Sequence, residues 1–158
     1  RVAPVEAPFR PGQLALREGP LLERVVRRLA RLPEVLLVAA AGRDHPRRAG
    51  LALHLGAALD VPTVGVTDDP LLATGGEPAA ARASIAPLRI GGEVVAYRVR
   101  TRAGSKPLVA HAAWRSSPEL AVEIVLGSCA LARWPEPMRR ARRLARELRD
   151  KESAHGER

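Results

Sequence analysis

The order of apolar and polar residues along the chain predicts alternating strands and helices. Residues 34–41 are mostly apolar, which is typical of a short strand that is buried on both faces. Residues 61–66 predict a second strand of this kind. The leucines of residues 46–59 predict a helix between the two, with Pro46 in its first turn. This β-α-β order implies a parallel pair of strands joined by a right-handed crossover.

Turn and capping residues define the remaining elements. Gly91-Gly92 separates two apolar runs and predicts a hairpin, and Ser117 followed by Pro118 predicts the start of a helix. We therefore expect an α/β protein with a central mixed sheet and flanking helices, built as one domain over residues 1–150. The other predicted elements are the end of a strand at 1–7, a helix at 14–32, strands at 85–90, 94–100 and 106–112, helices at 117–133 and from Pro137 onward, and a polar, disordered tail at 151–158.

Residue usage narrows the class of partner. The chain of 158 residues has 26 lysines and arginines against 17 acidic residues, and its net charge of +9 favours a polyanionic partner such as nucleic acid. A coding bias toward arginine and alanine is the alternative explanation of this charge. Cys129 is the only cysteine, which excludes an internal disulfide and a cysteine-based zinc site. We find no signal peptide and no apolar run that would span a membrane, so we expect a cytoplasmic protein.

The turn after the first buried strand is the predicted ligand site. Small residues at 39–42 would let the backbone approach a ligand closely, and His45, Arg47 and Arg48 add an imidazole and positive charge. Ligands of α/β proteins bind at the carboxyl ends of parallel strands, which is where this turn lies. His54, on the helix that follows, is expected to be a core or boundary residue without a binding role.

Three sequence blocks resemble the endonuclease V family and occur in the family's order. The run HPRRAGLALHLG at residues 45–56, followed by DVPTVGV, resembles the family's core. PGQLALREGP at residues 11–20 resembles its PG-x-L-x-F-R-E segment, and WPEP at residues 134–137 resembles its LPEP helix start. The resemblance implies a ribonuclease-H-like fold and a phosphodiester endonuclease (a hydrolase) that uses Mg²⁺ or Mn²⁺ and cuts on the 3′ side of inosine or deoxyinosine. The family has two further strands upstream, so we expect an N-terminally truncated chain that lacks the first strands.

The resemblance implies Glu18 as a catalytic and metal-binding residue, because it matches the glutamate of the family's FRE segment. Other family positions differ: Ala39 stands at the aspartate of VDGHG, Asp68 at the lysine of GVAK, and Trp114 at the histidine of GHR. One carboxylate does not position a catalytic metal by itself, so we expect metal binding and cleavage to be weak or lost. A metal site rebuilt with Asp68 or Asp69 is the alternative.

The resemblance also implies a substrate-binding set. Residues 8–11 stand at the family's PYIP wedge, which inserts into the duplex beside a damaged base. A lesion pocket built mainly from backbone groups and His45 follows, with Ala40 in place of the first VDGHG glycine, and Arg47 and Arg48 would contact phosphates. The implied substrate-binding residues are Pro8, Phe9, Arg10, Pro11, Gly12, Leu14, Gly42, His45, Arg47, Arg48 and Leu51.

Three functional hypotheses follow. The first is a nucleic-acid-binding protein of the DNA-repair type that recognises deaminated, inosine-type bases in DNA or RNA and has weak or no cleavage. The second is an active inosine- or deoxyinosine-directed endonuclease with a rebuilt metal site. The third is a fold that has been reused as a protein-interaction module.

Overall fold

The computed structural model describes Pro8, Arg10 and residues 12–156, with side chains up to residue 154. The strand end predicted at residues 1–7 lies outside these residues. The described helices are α1 (Leu14–Val26), α2 (Leu51–Leu59), α3 (Pro118–Gly127) and α4 (Glu136–Gly156). The described strands are β1 (Leu36–Val38), β2 (Thr63–Thr67), β3 (Ile85–Ile90), β4 (Glu93–Val99) and β5 (Leu108–Ala112).

The five strands form one mixed sheet in the order β1-β2-β5-β4-β3. Strands β1 and β2 are parallel, with Val38 opposite Gly65, and α2 connects them as the β-α-β pattern predicts. The other pairs are antiparallel. Strands β3 and β4 are joined at Gly91 and Gly92, whose φ angles of 56° and 86° are those that a tight hairpin turn requires. The predicted α/β mixed sheet with flanking helices is confirmed.

Helices cover both faces of the sheet, because successive residues of each strand point to opposite sides. On one face, Val64 and Val66 of β2 pack with Val125 of α3 and Met138 of α4. On the other face, Val38 of β1 packs with the leucines of α2, and α1 lies against α2. Strand β5 is buried along its whole length, which explains why its sequence is almost continuously apolar.

The predicted start of the crossover helix is wrong, because α2 begins at Leu51 rather than in a turn containing Pro46. Residues 46–50 instead form a separate turn in which Arg48 has a φ of +55°. The backbone N–H of Gly50 donates to the carbonyl of Gly42 (2.9 Å), so Gly50 caps α2 in an extended conformation. The preceding strand is also shorter than the predicted 34–41, because residues 39–42 leave the sheet to begin this turn.

Two other helices end earlier than predicted. Helix α1 ends at Val26 rather than near residue 32, since Leu29 and Leu32 are exposed and the apolar pattern beyond Val26 has nothing to pack against. Helix α3 ends at Gly127 rather than near Arg133, and the Ser128 hydroxyl donates to the carbonyl of Ile124 (2.7 Å) at its end. Helix α4, in contrast, continues as far as Gly156, where the sequence predicts a disordered tail from residue 151. Ion pairs between residues four apart, such as Arg143 with Glu147, support a helix of this polar composition.

Candidate functional site

A pocket of about 310 Å³ lies beside the turn between β1 and α2. We call it the His45 pocket. His45 is 8% exposed, so its ring is part of the pocket wall rather than a surface side chain. The pocket is lined by Gly12, Gln13, Ala15, Leu16, His45, Arg47, Ala49 and His54.

Hydrogen bonds hold the polar groups of this pocket in place. The backbone N–H of Arg47 donates to Nδ1 of His45 (3.2 Å), and Nη1 of Arg47 donates to the carbonyl of Gly12 (3.0 Å). Because Nδ1 accepts a hydrogen bond, neutral His45 carries its proton on Nε2, which lies beside Gly12. Gly12 has a φ of +71°, a conformation that favours glycine. The pocket therefore presents an N–H donor whose position is set by local backbone geometry.

Close backbone contacts shape the turn that carries His45. A Cβ atom at Gly42 would overlap the carbonyl oxygen of Ala112 on β5, and one at Gly50 would overlap the carbonyl oxygen of Ala41. The N–H of Arg43 also donates to the carbonyl of Ala112 (3.0 Å), which ties the turn to the central sheet. Glycine at residue 42 is thus required for the turn to pack against β5, and glycine at residue 50 is required for the turn to close on its own backbone.

A buried carboxylate, Asp44, anchors the same turn to the loop after β2. Both of its oxygens accept hydrogen bonds from three consecutive backbone N–H groups, those of Leu71, Leu72 and Ala73, at 2.7–2.8 Å. Asp44 is fully buried, so these bonds replace its water shell. Asp44 was not among the site residues predicted from the sequence. Its only signal was an acidic residue directly before His45 in an otherwise basic turn.

Next to Asp44 lies a second fully buried polar residue, His111 of β5. Its Nδ1 is 3.8 Å from Asp44 Oδ2, and its Nε2 is 2.7 Å from the hydroxyl of Thr67. Burial lowers the pKa of His111 to about 4, and the charge of Asp44 opposes this shift. His111 is therefore neutral at pH 7. His111 was not predicted from the sequence either, although a histidine in the apolar strand LVAHA is unusual enough to indicate a special role.

Glu18 lies in a different cavity, of about 270 Å³, between α1, β1, α2 and α4. We call this cavity the Glu18 groove. Its walls are mostly aliphatic. Among the described residues that line it, Glu18 is the one acidic residue and Arg142 the one basic residue. Its lining residues are Glu18, Leu22, Val26, Leu36, Leu37, Val38, Ala39, Leu51, Leu55, Met138, Ala141 and Arg142.

The residues of the Glu18 groove do not fit a catalytic metal ion. Ala39 contributes a methyl group where a second carboxylate would be needed. Asp68 forms an ion pair with Arg133 (2.5 Å) and Asp69 forms one with Lys106 (2.8 Å), and neither aspartate lines the groove. Within Pro8, Arg10 and residues 12–156, we find no group of three or more His, Cys, Asp or Glu side chains that would hold a metal.

The structure brings some of the predicted site residues together and separates others. Gly12, His45 and Arg47 meet at the His45 pocket, and Leu51 lines the Glu18 groove instead. Leu14 packs in the core between α1 and α2, and Gly42 lies under the backbone of β5. The guanidinium of Arg48 is paired with Glu93 of the neighbouring hairpin, and its contact with phosphate stays a prediction.

The predicted wedge is only partly described. Phe9 and Pro11 lie outside the described residues, whereas Pro8 and Arg10 are exposed. The carbonyl of Arg10 accepts a hydrogen bond from the N–H of Gln13 (3.0 Å), directly before α1. His54 is half-buried against Gly19 of α1, as expected of a boundary residue, but it also lines the His45 pocket. The wedge and binding roles stay predictions.

A mixed sheet with helices on both faces, and a pocket at the carboxyl end of its parallel pair, define the class as an α/β protein of ribonuclease-H-like fold. The sequence profile of the Endonuclease V family matches residues 1–143, and the chain belongs to that family. It is similar to endonuclease V of Methanopyrus kandleri, with 43% identity over 141 residues, 89% of this chain and 61% of that protein. The chain spans 61 to 64% of the length of the curated relatives that it matches most strongly.

Solved structures show the same relationship. The catalytic domain of human endonuclease V is similar with a TM-score of 0.88 and 32% identity, over 95% of this chain and 68% of that chain. A variant of endonuclease V from Ciona intestinalis, solved in complex with DNA containing an inosine followed by a ribo-adenosine, is similar with a TM-score of 0.76 and 26% identity. The match covers 93% of this chain and 69% of that chain.

None of the helices in the described part of the chain combines the length and the apolar character that crossing a bilayer demands.

Proposed function

We propose that this protein is an endonuclease V-like, nucleic-acid-binding protein of the DNA-repair type that recognises deaminated, inosine-type bases. The observation that carries the proposal is the His45 pocket, in which an N–H donor is held beside Gly12 by two hydrogen bonds from Arg47. Family membership supports it, as does the inosine-containing DNA bound to the Ciona intestinalis relative. The net charge of +9 is consistent with a polyanionic partner.

The chemistry of the pocket explains how a deaminated base would be preferred. Adenine presents an exocyclic amino group, which donates hydrogen bonds, and deamination replaces it with a carbonyl oxygen, which accepts them. The Nε2–H of His45 would bond to that carbonyl and would face the amino group of adenine donor to donor. Buried donors that are left unpaired are costly, so the pocket would discriminate against the undamaged base.

We further propose that cleavage is weak or lost. Among its described lining residues the Glu18 groove has one carboxylate, and the two aspartates that would substitute for family ligands, Asp68 and Asp69, are paired with Arg133 and Lys106. A metal ion that promotes cleavage of a phosphodiester needs several oxygen ligands in fixed positions. On this proposal, recognition and cleavage are separate properties of this chain, and the His45 pocket supports the first.

One titration tests both parts of the proposal. Duplex and single-stranded oligonucleotides that contain one inosine, and matched strands with adenine, are titrated at defined salt with Mg²⁺ and then Mn²⁺, and binding and nicking are measured together. We expect tighter binding to inosine strands without nicking. Equal affinity for all strands would refute the role of the His45 pocket in recognising the base. Nicking on the 3′ side of inosine would refute the proposed loss of cleavage and favour a rebuilt metal site.

A further inference from the structure

The Glu18 groove is lined by a cationic side chain, Arg142, that is not part of the His45 pocket. Arg142 of α4 lines the groove, and its guanidinium carbon lies 4.1 Å from the centre of the Trp134 ring. Trp134 is half-buried and packs against the main core cluster under α3, so it forms a rigid platform. A cation over the face of a tryptophan at this distance is held by the electrostatic attraction of the ring.

Arg142 has no hydrogen-bonding or ion-pair partner among the described residues, which it shares with Arg146 but not with the other arginines around it. Arg139 and Arg140 pair with Glu136, Arg143 lies 3.8 Å from Glu147, and Arg149 bonds to Asp150. Arg133, which also lies near Trp134, bonds to Asp68 and to the carbonyls of residues 106 and 107. The stacked Arg142 therefore keeps its N–H groups available for a ligand.

The chemistry of Arg142 suits an oxyanion. A guanidinium over the face of an aromatic ring keeps its planar fork of N–H groups, which binds two oxygens of a phosphate at once. Arg142 also lines a second pocket on α4, where the described lining residues include five arginines and three acidic residues, so the surface beside the groove is positively charged. Glu18 is the one carboxylate among the described residues that line the groove, so the charge there does not favour a cation over an anion.

We infer that Arg142, held on Trp134, binds a backbone phosphate of a nucleic-acid strand at the Glu18 groove. The inference rests on the proposed function insofar as the partner is a nucleic acid. It adds a second contact point beyond the His45 pocket and a reason for tryptophan at residue 134. In this chain a guanidinium at the groove neutralises the phosphate directly. The contact reads no base, so it strengthens binding to inosine-containing and undamaged strands alike.

The decisive comparison is between Arg142→Gln and Arg146→Gln. Both variants remove one positive charge from the exposed surface of α4, but Arg146 lies one turn further along and does not line the groove. Affinity for inosine and adenine strands is measured by fluorescence anisotropy at several salt concentrations. We expect R142Q to weaken binding to both strands by roughly 5- to 10-fold and to reduce the salt slope by about 1, and R146Q to change affinity less than about twofold.

A second variant separates geometry from charge. Arg142→Lys keeps the charge but loses the planar fork, so we expect it to recover less than half of the affinity that R142Q loses, measured as the logarithm of the dissociation constant. Equal losses in R142Q and R146Q, or full recovery by R142K, would overturn the inference. Thermal melts check that all three variants keep the fold, since these side chains are exposed and R142Q loses only the contact with Trp134.

Two further outcomes keep the two proposals apart. A loss of affinity that is specific to R142Q, without any inosine preference in the wild type, would support the groove contact. It would refute the proposed recognition of inosine by the His45 pocket. Inosine preference with equal losses in R142Q and R146Q would do the reverse. Inorganic phosphate is added at constant ionic strength as a competitor. If millimolar phosphate displaces strands from the wild type more strongly than from R142Q, phosphate and the strand compete for Arg142, as the inference requires. Equal displacement from both proteins would mean that the competed contacts lie elsewhere, and it would overturn the groove contact.

Discussion

The His45 pocket and the Glu18 groove lie on neighbouring parts of one scaffold but are built differently. The pocket is shaped by backbone contacts, since Gly42 and Gly50 press against carbonyl groups and Arg47 bonds to Gly12 and to the ring of His45. Metal binding in the groove would depend on individual carboxylate side chains, and Ala39 has a methyl group where the family pattern has a carboxylate. A site built from backbone survives as long as its fold survives, whereas a cluster of carboxylates can be lost one residue at a time.

The largest expected effect comes from breaking the backbone of the His45 pocket. Gly42→Ala would force a methyl group into the carbonyl of Ala112, and the central strand cannot move aside. We expect the free energy of unfolding to fall by about 4 kcal/mol or more, measured by urea denaturation. Gly76→Ala is the matched control, because its Cβ would meet nothing within 4 Å, and it should change stability by less than about 0.5 kcal/mol. Similar losses in the two variants would contradict the backbone account.

The buried pair beneath the pocket predicts a dependence of stability on pH. The folded protein holds the pKa of His111 at about 4, whereas an unfolded histidine titrates near 6.5. As the pH falls, the unfolded state binds this proton first. The stability is therefore complete above pH 6.5 and declines by roughly 3 kcal/mol as the pH approaches 4.

The contribution of His111 is isolated by comparing the wild type with His111→Gln. Urea denaturation at a series of pH values between 7 and 4 would show a flatter profile for the variant, whatever its stability at pH 7. Parallel profiles would mean that other groups, such as the neighbouring Asp44, account for the decline.

A smaller effect is expected when the donor of the pocket is removed without disturbing its backbone. His45→Ala should reduce the preference for inosine over adenine strands by roughly tenfold, which corresponds to about 1.4 kcal/mol, since one hydrogen bond to the base is lost. His54→Ala is the control, because it removes an imidazole from the same pocket wall that has no assigned bond to the base. It should change the preference for inosine strands less than about threefold. Equal losses of preference in His45→Ala and His54→Ala would refute the proposed bond between His45 and the base.

The smallest effect is expected in the Glu18 groove. Ala39→Asp returns one carboxylate beside Glu18, but residues 68 and 114 still differ from the family pattern. We expect the rate at which inosine strands are nicked with Mn²⁺ to stay within roughly tenfold of the wild type. Catalytic groups act together, so restoring one of several absent groups does not restore the rate. If A39D nicks inosine strands strongly, and Glu18→Gln abolishes this nicking, then a carboxylate at residue 39 is sufficient to give the groove cleavage activity.

Local sequence signals predicted the elements that depend on local interactions. Ser117 accepts a hydrogen bond from the N–H of Leu120 (3.1 Å), as its position before Pro118 predicts, and Gly91-Gly92 forms the expected hairpin turn. The sequence placed the start of α2 incorrectly because the competing turn is stabilised by a contact with Ala112, which is far away in the chain. Proline in a helix-like context is a weak signal beside such a contact.

The sequence by itself determined the α/β class, the parallel β1-β2 pair, the family and the identity of His45 and Glu18 as candidate residues, because apolar periodicity and short motifs are properties of neighbouring residues. Only the tertiary structure decided that these two candidates lie in separate cavities. It also revealed that Asp44 and His111 form a buried pair and that Arg142 rests on Trp134. The physical reason is that burial, the pairing of charges and access to a groove depend on residues that are distant in sequence and meet only when the sheet and its helices pack.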